Sequence, residues 1–330
     1  MRRLLLPLLL FAVLCWWFGL EPAGRALANA SPRGIALYLM LTALVVLAYA
    51  LRWRVVAHAL GARLTLARLV PARLAGDAVG ALVPSGRLAG EPVRVALVRS
   101  GCSSTAQSTA GVALDRLLEV IGNTLAVLGY VAVFCVARGA AGAGRTPFIL
   151  AATMAAGLLA LGALLFRLRR GHRPFAALYG ERARALMPRL AGAMDGVRRV
   201  EEHLIHFFRQ HPRAFLLGLL SSVLIELLCV AQYHALLTAF GIALDLPALL
   251  LVLLGGGLAN AVPVPARLGV LEAAQVAMVS AAGGEPALGF VVAVIVRLHE
   301  TFLLALGVAA LAYEGVSLAA LRLAAPRVEA

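Results

Sequence analysis

Apolar residues along the chain come in runs long enough to cross a bilayer, separated by arginine-rich or glycine-rich stretches. A helix needs about 20 apolar residues to span the hydrocarbon core. Runs of that length predict spans at 35–58, 106–136, 147–166, 215–240 and 287–313, and another at 4–20 follows Arg2-Arg3. The 4–20 run ends in Trp16-Trp17-Phe18, which suits a membrane interface, so it is expected to be an uncleaved span. The Ala-x-Ala pattern at Ala26 and Ala28 keeps a cleaved signal peptide as the alternative.

Two further stretches are apolar but broken. The stretch 64–101 contains Gly76, Gly80, Pro84, Gly86, Gly90 and Pro92, and 246–284 contains Gly255-Gly256-Gly257, Pro263 and Pro265. Their pieces are too short to cross singly, which predicts a re-entrant hairpin plus a half-helix in each. Pro84 and Pro265 are expected to open the half-helices, because proline suits a first helical turn. Between the halves lies the basic segment 167–213. There Leu190, Met194, Val197, Val200, Leu204, Phe207 and His211 recur at helical spacing, with Arg198, Arg199, Glu201, Glu202 and Arg209 between them. This predicts an amphipathic helix at the membrane interface, with a partner-binding helix as the alternative. The expected fold is an all-α polytopic membrane protein of about six full spans plus two broken-helix elements. Its expected parts are 1–33, a first repeat 34–166, the basic segment 167–213 and a second repeat 214–330.

The two halves carry one pattern. Pro84, Glu91, Arg116 and Glu119 recur 181 positions later as Pro265, Glu272, Arg297 and Glu300. Gly76 recurs as Gly257, and Val95-Ala96 and Val98 as Val276-Ala277 and Val279. Arginine counts then orient the chain. The connections 52–101 and 167–213 hold eight and eleven arginines, against two, two and one in 21–33, 138–146 and 241–286. Arginine-rich connections stay cytoplasmic, which puts both termini inside, in the inner membrane of a bacterium. The broken stretches then enter from opposite faces, the mark of an inverted-topology repeat and of transporters.

Composition removes the soluble classes: 62% of residues are hydrophobic, 14% are charged and mean hydropathy is +0.91. The net charge is +14 and all thirty basic residues are arginine. They concentrate between spans, so they point to topology and anionic lipid rather than nucleic acid. Cys15, Cys102, Cys135 and Cys229 show no metal or redox spacing and read as apolar filler. No P-loop, dinucleotide fingerprint or His-Glu-x-x-His motif occurs, and no cofactor or metal is expected.

Candidate chemistry lies in the charges within apolar sequence. Half-helix N-termini favour anions, phosphate above all, and Arg87, Arg94 and Arg267 would add cations there. The alternative is that these arginines snorkel to lipid phosphates. Glu91 and Glu272 are expected two turns into their half-helices, pointing inward. Arg116 and Arg297 lie near mid-bilayer, where each charge costs about 2.5–3.5 kcal/mol and needs a partner. Glu119 and Glu300, three residues on, share a helical face with them. Asp115 adds a charge in the first unit where the second has Val296. These groups either line a polar path or form ion pairs that pin helix packing. Glu226, opposite Val45 in the repeat, is a lone carboxylate in its span and a candidate for proton coupling. Asn260 either donates to substrate or caps backbone, and His299 reads as a packed histidine.

The segments Gly90-Glu91-Pro92-Val93-Arg94, Leu114-Asp115-Arg116-Leu117-Leu118-Glu119 and Pro263-Val264-Pro265-Ala266-Arg267-Leu268-Gly269-Val270-Leu271-Glu272 resemble the transmembrane region of lysylphosphatidylglycerol synthases and their stand-alone flippase-like relatives. That family usually has a Pro-Gly-Gly-x-Gly element before the last glutamate, and Ala266-Arg267 stand here where glycines are common. The resemblance covers nearly the whole chain. It implies translocation of an amphiphilic lipid, anionic or polyprenoid, without the synthesis that a soluble domain performs in the full enzymes. Some stand-alone relatives are associated with hopanoid pathways, and lipid-synthesis enzymes are the implied partners. The competing classes are a membrane-embedded lipid-modifying enzyme, or a subunit of one, and a scaffold that recruits a partner through the basic segment.

Overall fold

In a computed structural model of the chain, residues 21–83, 88–139, 145–177, 191–262 and 264–315 are described. Every regular element among them is helical. The N-terminal run 4–20 lies outside these residues, as do Pro84, Arg87 and Pro263.

Helix α1 (Glu21–Ala28) is followed by α2 (Pro32–Ala59), α3 (Leu66–Leu82), α4 (Glu91–Val98), α5 (Thr105–Arg138) and α6 (Thr146–Arg169). Next come α7 (Pro174–Ala177), α8 (Ala191–Gln210), α9 (Pro212–Ala239), α10 (Leu246–Ala261), α11 (Val270–Ala281) and α12 (Pro286–Tyr313). The expected spans correspond to α2, α5, α6, α9 and α12, which among the described residues are long and apolar enough to cross a membrane.

Local chemistry sets the ends. Ser31 accepts from the Gly34 amide and Pro32 takes the first helical position of α2. Ser104 caps α5 at the Gln107 amide and Asp245 caps α10 at the Ala248 amide. Helix α5 runs out at Gly139, whose φ of 72° a residue with a side chain rarely adopts.

Each broken stretch forms a pair of short helices. At 1.5 Å per residue α3 and α10 reach roughly 25 Å, and α4 and α11 less, so none crosses alone. The half-helix starts differ from expectation. Helix α3 ends at Leu82, and Val83 before Pro84 is extended, as a pre-proline residue prefers. The following helix begins at Glu91 after a 3-10 turn over Leu88–Gly90, because Pro92 rather than Pro84 takes its opening turn. In the second stretch a 3-10 turn over Pro265–Arg267 precedes α11, which opens at Val270. Glu91 and Glu272 therefore sit in first turns, not two turns in.

Helices α2 and α9 pack along their length and run antiparallel. Ser31 donates from its amide to the Ala239 carbonyl at 2.7 Å, Gln232 meets Thr42 at 2.7 Å and Arg52 meets Ser222 at 3.2 Å. Shifting each of the last two contacts by the repeat offset brings it within one residue of the other. Packing also crosses between halves, α3 against α12 and α10 against α5. A Cβ on Gly307 of α12 would lie 2.4 Å from the Leu74 carbonyl oxygen and 2.5 Å from Ala78 Cβ on α3. Gly307→Leu is expected to force these helices apart at a cost of about 1–3 kcal/mol. A thermal melt in detergent checks this, and an unchanged midpoint would contradict the close crossing.

The amphipathic helix α8 turns part of its apolar face onto protein. Phe207 and Phe208 are buried beside Val56, Leu60, Leu114, Leu118 and Leu168. Glu201, one of the charged positions between the apolar ones, is buried and accepts from the Phe175 and Ala176 amides at 2.7 and 3.0 Å, closing the start of α7. By contrast Leu216, Leu217, Leu220, Leu224 and Leu227 of α9, with Ile149 and Leu159 of α6, are exposed. So broad an apolar surface fits hydrocarbon rather than water.

Candidate functional site

Two ionic clusters occupy the interior. The first is built around Asp115 of α5, which has no exposed surface. Arg52 of α2 donates from Nε to its Oδ1 at 2.9 Å, and Arg73 of α3 and Arg94 of α4 donate to its Oδ2. One turn on, Glu119 receives Arg73 at 2.8 Å, Arg116 at 2.8 Å and Arg52 at 3.5 Å. Glu91 pairs with Arg94 at 3.0 Å through Oε2 and faces Arg116 at 3.8 Å through Oε1. Asp77 takes the remaining edge of Arg73 at 2.8 Å. Four guanidiniums thus meet four carboxylates, and the charges cancel. Aromatic faces complete the enclosure: Arg94 lies 4.2 Å over Trp53, and Arg73 lies 4.2 Å over Tyr49.

The second cluster is sparser. Arg297 of α12 donates from Nε and Nη2 to Glu272 Oε1 at 3.1 and 2.7 Å, and from Nη1 to Glu300 at 3.1 Å. Glu300 also pairs with Arg267 at 2.6 Å. The remaining N–H groups of Arg297 reach the Ala266 and Arg267 carbonyls at 2.6 and 3.3 Å. Those two residues have φ of 49° and 54°, the left-handed region that costs a non-glycine residue about 1–2 kcal/mol. Ala266 and Arg267 thus hold the backbone shape for which the expected glycines are suited, and Arg297 secures it from below.

Each half therefore contains one glutamate–arginine–glutamate triad, Glu91–Arg116–Glu119 and Glu272–Arg297–Glu300. Around the triads the halves diverge. Arg52, Arg73, Arg94 and Asp115 stand opposite Tyr233, Leu254, Gln275 and Val296 in the repeat register. Arg52 and Arg73, two principal partners of Asp115, are what sequence reasoning missed, together with Asp77. An arginine count assigns Arg52 and Arg73 to a connection between spans, yet they and Arg94 are buried. Arg94 consequently does not snorkel. The usable signal was the asymmetry itself, four charged positions lost together in the second half.

The other expected residues lie apart. Glu226 is not alone: Tyr130 donates to it at 3.3 Å. The Asn123 amide, in the orientation that satisfies both its atoms, donates to it at 2.6 Å and to the Glu119 carbonyl at 3.1 Å. His299 bonds the Tyr38 hydroxyl at 2.7 Å and packs edge-on against Tyr38 and Tyr233. Asn260 lies in the last turn of α10, its Oδ1 buried with no hydrogen-bond partner among the described residues. No group of three or more His, Cys, Asp or Glu side chains among the described residues is arranged to hold a metal.

Beside the first cluster lies a cavity of about 810 Å³ between α4, α5 and α6. Its walls are Pro92, Val95, Ala96, Val112, Ala113, Leu117, Val120 and Leu161, with Glu91, Arg116, Arg99, Thr105 and Thr109 as its polar groups. The edge of the ionic cluster therefore opens onto an apolar chamber.

Long apolar helices around a buried ionic core define a multi-pass integral membrane protein. The chain belongs to the family described as the lysylphosphatidylglycerol synthase TM region, whose profile matches residues 4–307. It is 27% identical over 318 residues to a UPF0104 membrane protein of Methanothermobacter thermautotrophicus, covering 88% of each chain. It is 24% identical over 301 residues to a UPF0104 membrane protein of Pyrococcus horikoshii, covering 88% of this chain and 89% of the relative. No solved structure matches it.

Proposed function

We propose that the protein translocates an amphiphilic lipid, anionic or polyprenoid, in the cytoplasmic membrane. The observation that carries this reading is the 810 Å³ chamber, apolar along its walls and charged where Glu91 and Arg116 enter it. Apolar volume beside a charged pair matches a molecule with a tail and a polar head. Arg116 and Arg99 suit a phosphate, and family membership agrees with a lipid-related role. The antiparallel packing of α2 on α9 supports an inverted repeat, with α3–α4 and α10–α11 entering as re-entrant pairs from opposite faces. The carboxylates of the two clusters are engaged by guanidiniums, an arrangement for holding charge rather than for acid–base turnover on a lipid.

The test is lipid exchange between leaflets of proteoliposomes, read by dithionite quenching of head-labelled phospholipid and polyprenyl-phosphate probes. Ala113→Trp intrudes on the chamber and leaves every charged side chain of the ionic cluster in the sequence. It is expected to lower the protein-dependent rate at least tenfold (about 1.4 kcal/mol) with an unchanged melting midpoint. A wild-type rate in this variant would remove the chamber from the transport path, and chemically altered probe would favour an enzyme.

A further inference from the structure

The two triads differ in one respect that the repeat makes visible. In the first half both oxygens of Glu91 face cations, Oε1 toward Arg116 and Oε2 toward Arg94. In the second half Glu272 Oε1 takes both bonds from Arg297, while Oε2 is buried with no hydrogen-bond partner among the described residues. The residue in the register of Arg94 is Gln275, whose Oε1 is likewise buried and unpartnered. The orientation of this amide is fixed, because Gln275 Nε2 donates to the Val252 carbonyl at 3.0 Å and a flipped amide would oppose two acceptors.

Asn260 supplies a third such oxygen. Gly256 of α10 lies against Gln275, 3.8 Å from its Nε2 to an added Cβ, and Gly255 lies against Ala274 and Met278. Asn260 lies one turn beyond Gly256, at the end of α10 that leads into the break whose Ala266 and Arg267 carbonyls share Arg297 with Glu272, and Glu272 sits one turn before Gln275. Buried acceptors without donors cost about 1–3 kcal/mol each. The C-terminal end of α10 also directs free carbonyls and its negative dipole end to this side.

We infer that Glu272 Oε2, Gln275 Oε1 and Asn260 Oδ1 bind an alkali-metal cation, sodium or potassium, in the place that the Arg94 guanidinium takes in the first half. Three oxygens on three side chains ask for a centre that accepts several bonds, which a proton does not and an alkali ion does. Amide oxygens with a single carboxylate already bonded to Arg297 suit a monovalent ion rather than a divalent one. One half thus carries its cation covalently as Arg94, and the other takes an exchangeable one. This goes beyond the lipid reading and does not depend on it.

The experiment is a melt of the purified full chain by tryptophan fluorescence at fixed pH and ionic strength, with NaCl or KCl replacing choline chloride. Either salt is expected to raise the midpoint saturably, by roughly 4 °C at about 100-fold excess over Kd. Gln275→Arg installs the arrangement of the first half, and its melt is expected to be the same in all three salts. Should that variant not fold, Asn260→Ala is read instead, with the half-saturating concentration rising about tenfold, the factor of about 1.4 kcal/mol for one lost ligand. Identical wild-type curves in sodium, potassium and choline overturn the site. So does a salt response that both variants retain, or a wild-type midpoint that responds to pH but to neither cation, which would assign the place to a proton.

Discussion

Asp115→Val is expected to leave little folded protein. The substitution puts the residue of the second half, Val296, at the centre of the first, where Arg52, Arg73 and Arg94 converge. Removing one partner of a buried ion pair costs about 3–5 kcal/mol, since the other charge stays behind without compensation. That is a large share of the 5–15 kcal/mol typical of a folded domain. Adding Arg94→Gln completes the exchange of the first-half pair for Gln275 and Val296, and removes one of the stranded cations. Arg52 then keeps Glu119 and Ser222, and Arg73 keeps Asp77 and Glu119. The double variant should therefore melt above Asp115→Val alone. Fluorescence-detected gel filtration after heating measures both, and a single variant with the wild-type midpoint would show that the hub contributes nothing to stability.

The second large effect is expected at Glu272. Glu272→Gln keeps the shape of the side chain but takes the charge from the oxygen that accepts two bonds from Arg297. Arg297 retains Glu300 and the two carbonyls of the break, so the fold should persist within about 1.5–3 kcal/mol, the worth of a hydrogen bond to a charged group. In the proposed translocation, lipid exchange in proteoliposomes should fall to the protein-free rate, because Arg267 and Arg297 are left with one carboxylate between them near mid-membrane. Gel-filtration profiles matching wild type, beside exchange that is also wild type, would detach this triad from transport.

Much of the fold was legible because the membrane simplifies the reading. An apolar run as long as Pro32–Ala59 or Pro286–Tyr313 has one stable solution in hydrocarbon, a helix. The triads were legible because Arg116 and Glu119, like Arg297 and Glu300, are three residues apart on one helix. Their partners were not. Arg52 and Arg73 reach Asp115 from other helices, and hydropathy counts an arginine near a span end as a loop marker whether or not it turns inward. The start of the first half-helix was not legible because Pro84 and Pro92 both suit a first turn, and the helix opens at Glu91 with Pro92 in that place. Likewise an apolar face on α8 does not announce what covers it. Here it is Leu114, Leu118 and Leu168.

The uneven wiring divides the molecule mechanically. Asp115 and Glu119 are gripped by side chains from α2, α3 and α4, so a slide of any of these helices by even one residue, about 1.5 Å, would break several ionic bonds at once. These four helices must travel as a single block. Helix α10 carries no charged side chain, and two of its glycines, Gly255 and Gly256, present a smooth flank toward Ala274, Gln275 and Met278 of α11. Sliding there breaks no ion pair. If one part of the protein shifts while the rest stands as its frame, the stroke belongs to α10 and the frame to the helices bolted around Asp115.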